Sequence, residues 1–239
     1  DTVRMTFDGF YSNFKDDQSK RGIELPLGFF AFGTTGNPTD FTVNNGLIDS
    51  GIFRNVQGVV RNDVFERKAD LYSFGYNAEY EGDDGWKAFL DIGFSKTDRN
   101  ELSIESYSGT GFGQALGATD TIGFVSGPTG TVFDPTLDYS NPALIRLTDP
   151  LGWGGGVVPQ AGYYNNRIVE DELKQFRVGV EKEMEGLLKA VKFGLAYTNR
   201  DKSLTPDESL VRLAGGATSL AIPTAELLRP TTLSYLGLG

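Results

Sequence analysis

The feature that most constrains the fold is a two-residue alternation of apolar and polar side chains between residues 69 and 100. A period of two over this length is typical of β-strands, because successive side chains of a strand point to opposite faces. The sequence 81–85, with two glycines and two aspartates, separates the two runs and predicts a tight turn. The region is therefore predicted to be a β-hairpin with one apolar face. Its apolar positions are Tyr72, Phe74, Tyr76, Ala78, Tyr80, Trp86, Ala88, Leu90, Ile92 and Phe94.

The same alternation recurs elsewhere in the chain. Residues 175–181 and 191–198 flank a turn near Glu185 and Gly186 and predict a second hairpin, while residues 3–12 predict one further strand. The predicted strands lie near 2–14, 67–80, 86–99, 172–184 and 188–200. The polar, glycine-rich stretches between and after them are predicted to be long loops, at 15–66, 101–168 and 201–239.

The predicted layout has short turns at one end of the strands and long loops at the other. Structureless loops of about 50 residues are unusual in a compact soluble domain, whereas outer-membrane barrels combine short periplasmic turns with long extracellular loops. The strand length is also suitable, since about 9–11 tilted residues cross a membrane. We therefore predict an all-β chain that is a fragment of a transmembrane antiparallel β-barrel. The alternative fold is a soluble β-sandwich, in which the apolar face packs a core.

Composition excludes several kinds of chemistry. The 239-residue chain has no cysteine and no histidine, so catalytic triads that need them, zinc motifs and disulfides are excluded within it. Its 22 basic and 32 acidic residues give a formal net charge of −10, which argues against nucleic acid as a partner. No two carboxylates stand out by spacing as a catalytic pair. An enzyme is therefore not predicted, and neither a cofactor nor a bound metal is expected.

Several short segments carry motifs that are similar to those of one protein family. They read YSNFKDDQ at 11–18, RGIELP at 21–26, VRND at 60–63 with ADL at 69–71, TDRNELS at 97–103 with ESY at 105–107, and FGLAYTNRDKS at 193–203. These segments resemble TonB-dependent receptors, which are active transporters of the Gram-negative outer membrane. The most similar group is the large-looped receptors that are often associated with oligosaccharide uptake.

The resemblance implies a function and a set of partners. It implies import of a scarce nutrient, an oligosaccharide or a siderophore, across the outer membrane of a Gram-negative bacterium. The implied partners are outer-membrane lipid, a plug domain of the same protein and a TonB-type energy-transducing protein, the last two outside this chain. Because the chain also lacks the family's terminal aromatic strand and its five predicted strands are too few for a bacterial barrel, we expect it to be part of a larger barrel. The alternative function is a soluble β-rich carbohydrate-binding or adhesion module.

Aromatic residues in the predicted loops are the candidate ligand contacts. Trp153 lies in a glycine-rich stretch, Tyr163 and Tyr164 lie near the return to the membrane, and Phe29 and Phe30 lie in the first loop. Aromatic faces stack on sugar rings or aromatic ligands, and glycine permits close approach of the backbone. Packing of one loop against another is the alternative role for these side chains.

Two groups of charged residues also need an explanation. Acidic residues recur in the predicted loops, at Asp16, Asp17, Asp134, Asp138 and Asp149. Carboxylate oxygens are calcium ligands, but the spacing fits no calcium-loop motif, so these residues are predicted to be solvated turn residues. Other charges fall on the polar face of the predicted strands and are predicted to form ion pairs across neighbouring strands; they are Lys87, Asp91, Arg177, Glu181 and Lys192.

Overall fold

The computed structural model describes residues 1–28, 38–113, 116–155 and 157–223. Over these residues the chain is all-β, with antiparallel sheets and 71% of its residues in strands, which confirms that part of the predicted fold class. A short 3₁₀ turn lies at Ala214–Gly216. The described ranges contain no helix that is both long enough and apolar enough to cross a membrane.

Five of the strands are long, with 22 to 24 residues each, and they alternate with shorter ones. In chain order the strands are β1 (Thr2–Glu24), β2 (Thr39–Asn44), β3 (Leu47–Val56), β4 (Val59–Glu81), β5 (Trp86–Gly109), β6 (Asp120–Gly127), β7 (Gly130–Pro135), β8 (Arg146–Thr148), β9 (Gly162–Glu183), β10 (Ala190–Val211) and β11 (Ser219–Leu220). Each of the five predicted strands falls on one of the long strands. The observed strands, however, continue well beyond the predicted bounds.

The stretches 15–66 and 101–168, which the sequence predicted to be loops, therefore contain regular structure, and the start of 201–239 continues β10. The apolar alternation ends part-way along each long strand. The strand nevertheless continues, because ion pairs take the place of apolar contacts between it and the strands beside it. Arg67 of β4, for example, pairs with Asp16 of β1 at 3.3 Å and with Glu101 of β5 at 3.8 Å. Opposite charges on facing strands stabilise a sheet much as apolar pairs do.

The strands form two sheets. In the larger sheet β1 pairs with β4, β4 with β5, β5 with both β9 and β8, β9 with β10, and β8 with β11. The smaller sheet has the order β2-β3-β6-β7 and is built from both stretches that were predicted to be loops. Its register places Phe53 opposite Ile122 and Phe124 opposite Phe133, and Ile122 is fully buried.

The chain divides into two compact units. Unit 1 comprises Asp1–Asp17, Glu66–Leu102 and Asn166–Asp207, and unit 2 comprises the remaining residues. Unit 1 contains the turn predicted at 81–85, which the structure places at 82–85 and in which the Gly82 N–H donates to the Trp86 carbonyl at 2.8 Å. Gly85 of this turn has a φ of 81°, a conformation that glycine adopts without steric cost. Unit 2 contains the buried cluster of Val59, Tyr107 and Leu151.

Candidate functional site

One face of unit 1 presents large apolar side chains to the surroundings. Ring contacts join neighbouring strands on this face, with centroids 4.7 Å apart for Phe7 and Tyr76. Most of these side chains are exposed, Phe7 to 78% and Phe193 to 67%, which is far beyond the scattered apolar exposure of an ordinary soluble surface. We call this set the apolar band: Val3, Met5, Phe7, Tyr11, Tyr72, Phe74, Tyr76, Tyr80, Trp86, Leu90, Ile92, Phe94, Phe176, Val178, Val180, Val191, Phe193, Leu195 and Tyr197.

The apolar band has a sharp boundary on the side away from the short turns. On β5 it covers residues 86–94, and the next positions with the same orientation carry Lys96 and Asp98. The other four long strands change in the same way, to Asn13, Asp70, Lys174 and Asn199. Five strands that each change from apolar to polar after a few alternate positions indicate a change of surroundings along the sheet rather than a local irregularity.

The opposite face of unit 1 is charged. Ion pairs cross between strands there, with Arg177 to Asp91 at 3.0 Å and Lys192 to Glu181 at 2.7 Å, which confirms the predicted pairing. An open groove of about 740 Å³ lies along this face, lined by residues of β4, β5, β9 and β10. Each charged residue that lines the groove takes part in an ion pair, so the groove offers a polar, water-compatible surface rather than a site for one ion.

Unit 2 holds Trp153, the central residue of the predicted ligand site. The indole is 38% exposed and packs edge-on against Tyr107, with ring centroids 4.7 Å apart and an interplanar angle of 76°. Tyr107 is itself buried, and the Arg61 guanidinium lies 4.7 Å from the centroid of its ring. The three side chains form a continuous stack, which we call the Trp153 stack.

Carboxylates surround the base of the Trp153 stack. Arg61 pairs with Glu24 at 2.7 Å, Asp63 at 2.9 Å and Glu105 at 2.8 Å, and the Tyr107 hydroxyl donates to Glu105 at 2.6 Å. Burial and the hydrogen bond to Glu105 raise the pKa of the Tyr107 hydroxyl. Burial acts against the charge on Arg61, but Asp63 and Glu24 outweigh it and raise the pKa of the guanidinium. The stack therefore rests on a fixed, charged and hydrogen-bonded base.

Asp149, which the sequence predicted to be a solvated turn residue, is instead fully buried and holds the loop that carries Trp153. Its fully buried carboxylate accepts hydrogen bonds from the backbone N–H groups of Trp153 at 2.9 Å, Gly154 at 2.8 Å and Gln160 at 3.0 Å. Gly154 leaves no room for a side chain, since a Cβ there would lie 2.0 Å from the Val158 carbonyl oxygen. The glycine-rich sequence thus allows the backbone to close around one carboxylate. Across the part of the chain that the structure describes, no group of three or more acidic residues could hold a metal ion.

The other predicted ligand residues have different surroundings. The Tyr163 hydroxyl donates to Glu208, and Tyr164 follows it on β9, where alternation directs it to the opposite face. Phe29 and Phe30 lie outside the described residues. Trp153 is therefore the predicted ligand residue whose ring contact with a neighbouring aromatic side chain is defined.

The chain has no match among known families. No protein-family model matches it, and no curated protein matches it.

Sequence reasoning did not select Arg61, Glu105 or Tyr107 as site residues, although a signal was present. All three lie in segments that carry the resemblance stated above, VRND at 60–63 and ESY at 105–107. Those two segments face one another on β4 and β5, where the Ser106 hydroxyl donates to the Asn62 carbonyl at 2.8 Å. The linear sequence did not show that the segments at 60–63 and 105–107 lie side by side in the folded chain.

Proposed function

We propose that this chain is part of the wall of an antiparallel β-barrel that spans the outer membrane of a Gram-negative bacterium. The apolar band carries this proposal, because it places exposed aromatic and aliphatic side chains on the same face of five paired strands. Removing apolar surface from water contributes roughly 25 cal/mol per Å², so a hydrocarbon environment stabilises this face strongly. Closure of the sheet by further strands would pair every backbone group, as a spanning structure requires.

Two further observations support the membrane proposal. The charged groove is suited to a polar, water-filled barrel interior, because interior and lipid-facing residues alternate along each strand. Aromatic residues also mark both ends of the apolar band, with Tyr80 and Trp86 beside the short turn and Tyr11 and Tyr197 at the other end. Tyrosine and tryptophan are enriched where a barrel crosses the two membrane interfaces.

We further propose that the barrel belongs to a TonB-dependent receptor that imports an oligosaccharide or a siderophore. The resemblance of segments 11–18, 97–107 and 193–203 supports this class. In this role the chain binds rather than transforms its ligand, and Trp153 is the primary contact. In this role, energy for transport comes from a TonB-type protein that acts on a plug domain of the same receptor.

The topology of the proposed receptor can be tested with inserted epitope tags. A tag at Gly155, in the loop of the Trp153 stack, should bind antibody on intact cells, because long barrel loops face the cell exterior. A tag at Asp84, in the short turn, should bind antibody only after the outer membrane is permeabilised. The measurement is cell-surface immunofluorescence with the complete protein. The reverse pattern would invert the proposed orientation, and a complete protein that is monomeric and folded without detergent would favour the soluble binding module instead.

We predict that Trp153→Ala in the complete receptor weakens ligand binding by about 1–3 kcal/mol, the range for loss of one stacking aromatic. The indole is partly exposed and its ring is held in place by Tyr107, so it is ready to stack on a ligand. The measurement is calorimetric titration with the nutrient that growth screening of a deletion strain identifies.

The matched control for this prediction is Trp153→Phe. It keeps an aromatic face and the edge contact with Tyr107, so most of the affinity should remain. Equal affinity for the wild-type receptor and the alanine variant, with both folded, would reduce Trp153 to a packing residue.

A further inference from the structure

The Trp153 stack lies in strongly negative surroundings. Arg61, the cation of the stack, pairs with three carboxylates. A fourth carboxylate, that of Asp149, accepts a hydrogen bond from the backbone N–H of Trp153 and forms no ion pair within the described ranges. One guanidinium against four carboxylates leaves a formal excess of three negative charges. The four carboxylates belong to Glu24, Asp63, Glu105 and Asp149.

The charge of Arg61 is matched chiefly by Asp63. The Arg61 Nε donates to one oxygen of Asp63 at 3.3 Å, and the Arg61 Nη2 donates to the other at 2.9 Å. Such a two-point contact between planar groups is the strongest form of this pair. Glu24 and Glu105 each accept from the guanidinium through one oxygen, at 2.7 Å and 2.8 Å. Their side chains are 51% and 29% exposed, so both carboxylates remain accessible to a ligand.

The stack already holds a cation against an aromatic ring. The Arg61 guanidinium lies 4.7 Å from the centroid of the Tyr107 ring, and the negative face of such a ring attracts a cation. Trp153 continues the same stack with a partly exposed indole, and indole attracts cations more strongly than a phenol ring does. In the part of the chain that the structure describes, no lysine or arginine lies over this indole. The open end of the stack is therefore suited to a cation from outside the chain.

The excess of negative charge indicates the charge of the ligand. Carboxylates gathered at one site repel one another, and salt screens this repulsion less where the groups are partly buried. A neutral ligand leaves the repulsion in place, and an anionic ligand increases it. A cationic ligand removes it and also attracts the exposed indole. The surroundings of Trp153 therefore favour a ligand with positive charge.

We infer that the Trp153 stack binds an oligosaccharide of unacetylated amino sugars, whose ammonium groups supply the positive charge. This inference rests on the proposed function, which gives an oligosaccharide or a siderophore as the ligand, and it narrows that choice. The apolar face of one sugar ring stacks on the exposed indole. Ammonium groups of the sugar donate charge-assisted hydrogen bonds to Glu24 and Glu105. Acidic sugars and anionic siderophores are disfavoured, because they bring like charge to a negative surface.

The test compares two oligosaccharides that have the same sugar backbone and differ in charge. The complete protein that contains this chain is purified in detergent and titrated by calorimetry with a β-1,4-linked tetramer of glucosamine and with its N-acetylated counterpart. The titrations are made at mildly acidic pH, where the amines are protonated. We expect the glucosamine tetramer to bind about tenfold more tightly or better, since a hydrogen bond to an ionised partner is about twice as strong as a neutral one. Added salt should weaken binding of the glucosamine tetramer only.

Two variants connect this preference to the carboxylates. Glu24→Gln and Glu105→Gln each remove one charge and keep an oxygen acceptor, so each should weaken binding of the glucosamine tetramer by about tenfold and leave binding of the N-acetylated tetramer unchanged. Glu24→Gln is the cleaner of the two, because Glu105 also accepts the hydrogen bond from Tyr107. The ratio of the two affinities is taken within each protein, so a general loss of stability does not imitate the effect.

The matched control is Asp40→Asn. Asp40 is also an exposed carboxylate of unit 2 that pairs with an arginine, Arg54, at 3.1 Å. Its φ of 48° is tolerated by asparagine, so the substitution keeps the local backbone. This variant should bind both tetramers as the wild type does.

Three results would overturn the inference: equal or tighter binding of the N-acetylated tetramer, no binding of the glucosamine tetramer, or an unchanged preference in both the Glu24 and the Glu105 variant. Failure of the proposed function has a different outcome. The complete protein would then be absent from outer-membrane fractions, whereas failure of the inference alone leaves the receptor in the membrane with a ligand of another charge.

Discussion

Ile92→Arg is expected to prevent assembly of the outer-membrane barrel. Ile92 lies within the stretch of β5 that forms the apolar band, one alternate position from its centre at Leu90, and its side chain is 46% exposed. An arginine facing lipid near the membrane midplane costs about 2–4 kcal/mol. The measurement is the amount of folded protein in outer-membrane fractions, read from the mobility difference of heated and unheated samples on a gel.

Two variants control for this result. Asp91→Asn alters the neighbouring residue, which faces the groove and pairs with Arg177 at 3.0 Å, and it should assemble because an amide still accepts a hydrogen bond. Gln175→Arg introduces the same new charge on the groove face, beside Gly93, and it should also assemble. Equal assembly of Ile92→Arg and Gln175→Arg would contradict the assignment of the two faces.

Asp149→Ala is expected to open the loop that carries Trp153. The substitution leaves the N–H groups of Trp153, Gly154 and Gln160 without their buried acceptor. Loss of such hydrogen bonds lowers the free energy of opening this loop by on the order of 3 kcal/mol, even where water enters to replace part of the contact. Amide hydrogen exchange at the three N–H groups should accelerate on the order of 100-fold, as measured by mass spectrometry on the complete protein.

Asp138→Ala is the matched control for Asp149. Asp138 also accepts a backbone hydrogen bond, from Ser140 at 2.9 Å, but it is exposed, so water can replace the lost contact. Its removal should leave exchange in the Trp153 loop unchanged. Equal exchange in wild-type and Asp149→Ala proteins would show that the loop is held by other contacts, in which case Trp153 would not depend on Asp149 for its position.

The sequence alone was sufficient to predict the all-β class and the part of each long strand that carries the apolar band. Alternation of period two is a direct consequence of strand geometry, so Tyr72 to Phe94 needed no tertiary information. The turn at 82–85 was predictable for a similar reason, because glycine and aspartate tolerate its backbone angles. The ion pairs of the groove were also predictable, since residues of opposite charge lay on the same predicted face.

The rest of each long strand was decided by tertiary structure. Beyond the apolar band apolar residues no longer alternate regularly with polar ones, and a strand without a period of apolar residues resembles a loop in sequence. Arg61 stabilises this part through Glu24, which is 37 residues away in the chain. Arg67 does so through Asp16 and Glu101, which lie on the neighbouring strands β1 and β5. The small sheet likewise depends on β3 and β6, which lie in different predicted loops and pair only in the folded chain.

The candidate site also has one part that the sequence predicted and one part that the tertiary structure decided. The sequence analysis selected Trp153 because its glycine neighbours permit close approach of the backbone to a ligand. The glycines instead allow the loop to close around Asp149, and the ring packs on Tyr107, which belongs to β5. The sequence determined which residues could stack on a ligand, since that is a property of the side chain. Only the tertiary structure determined what positions the ring, because its contacts come from a strand that is distant in the chain.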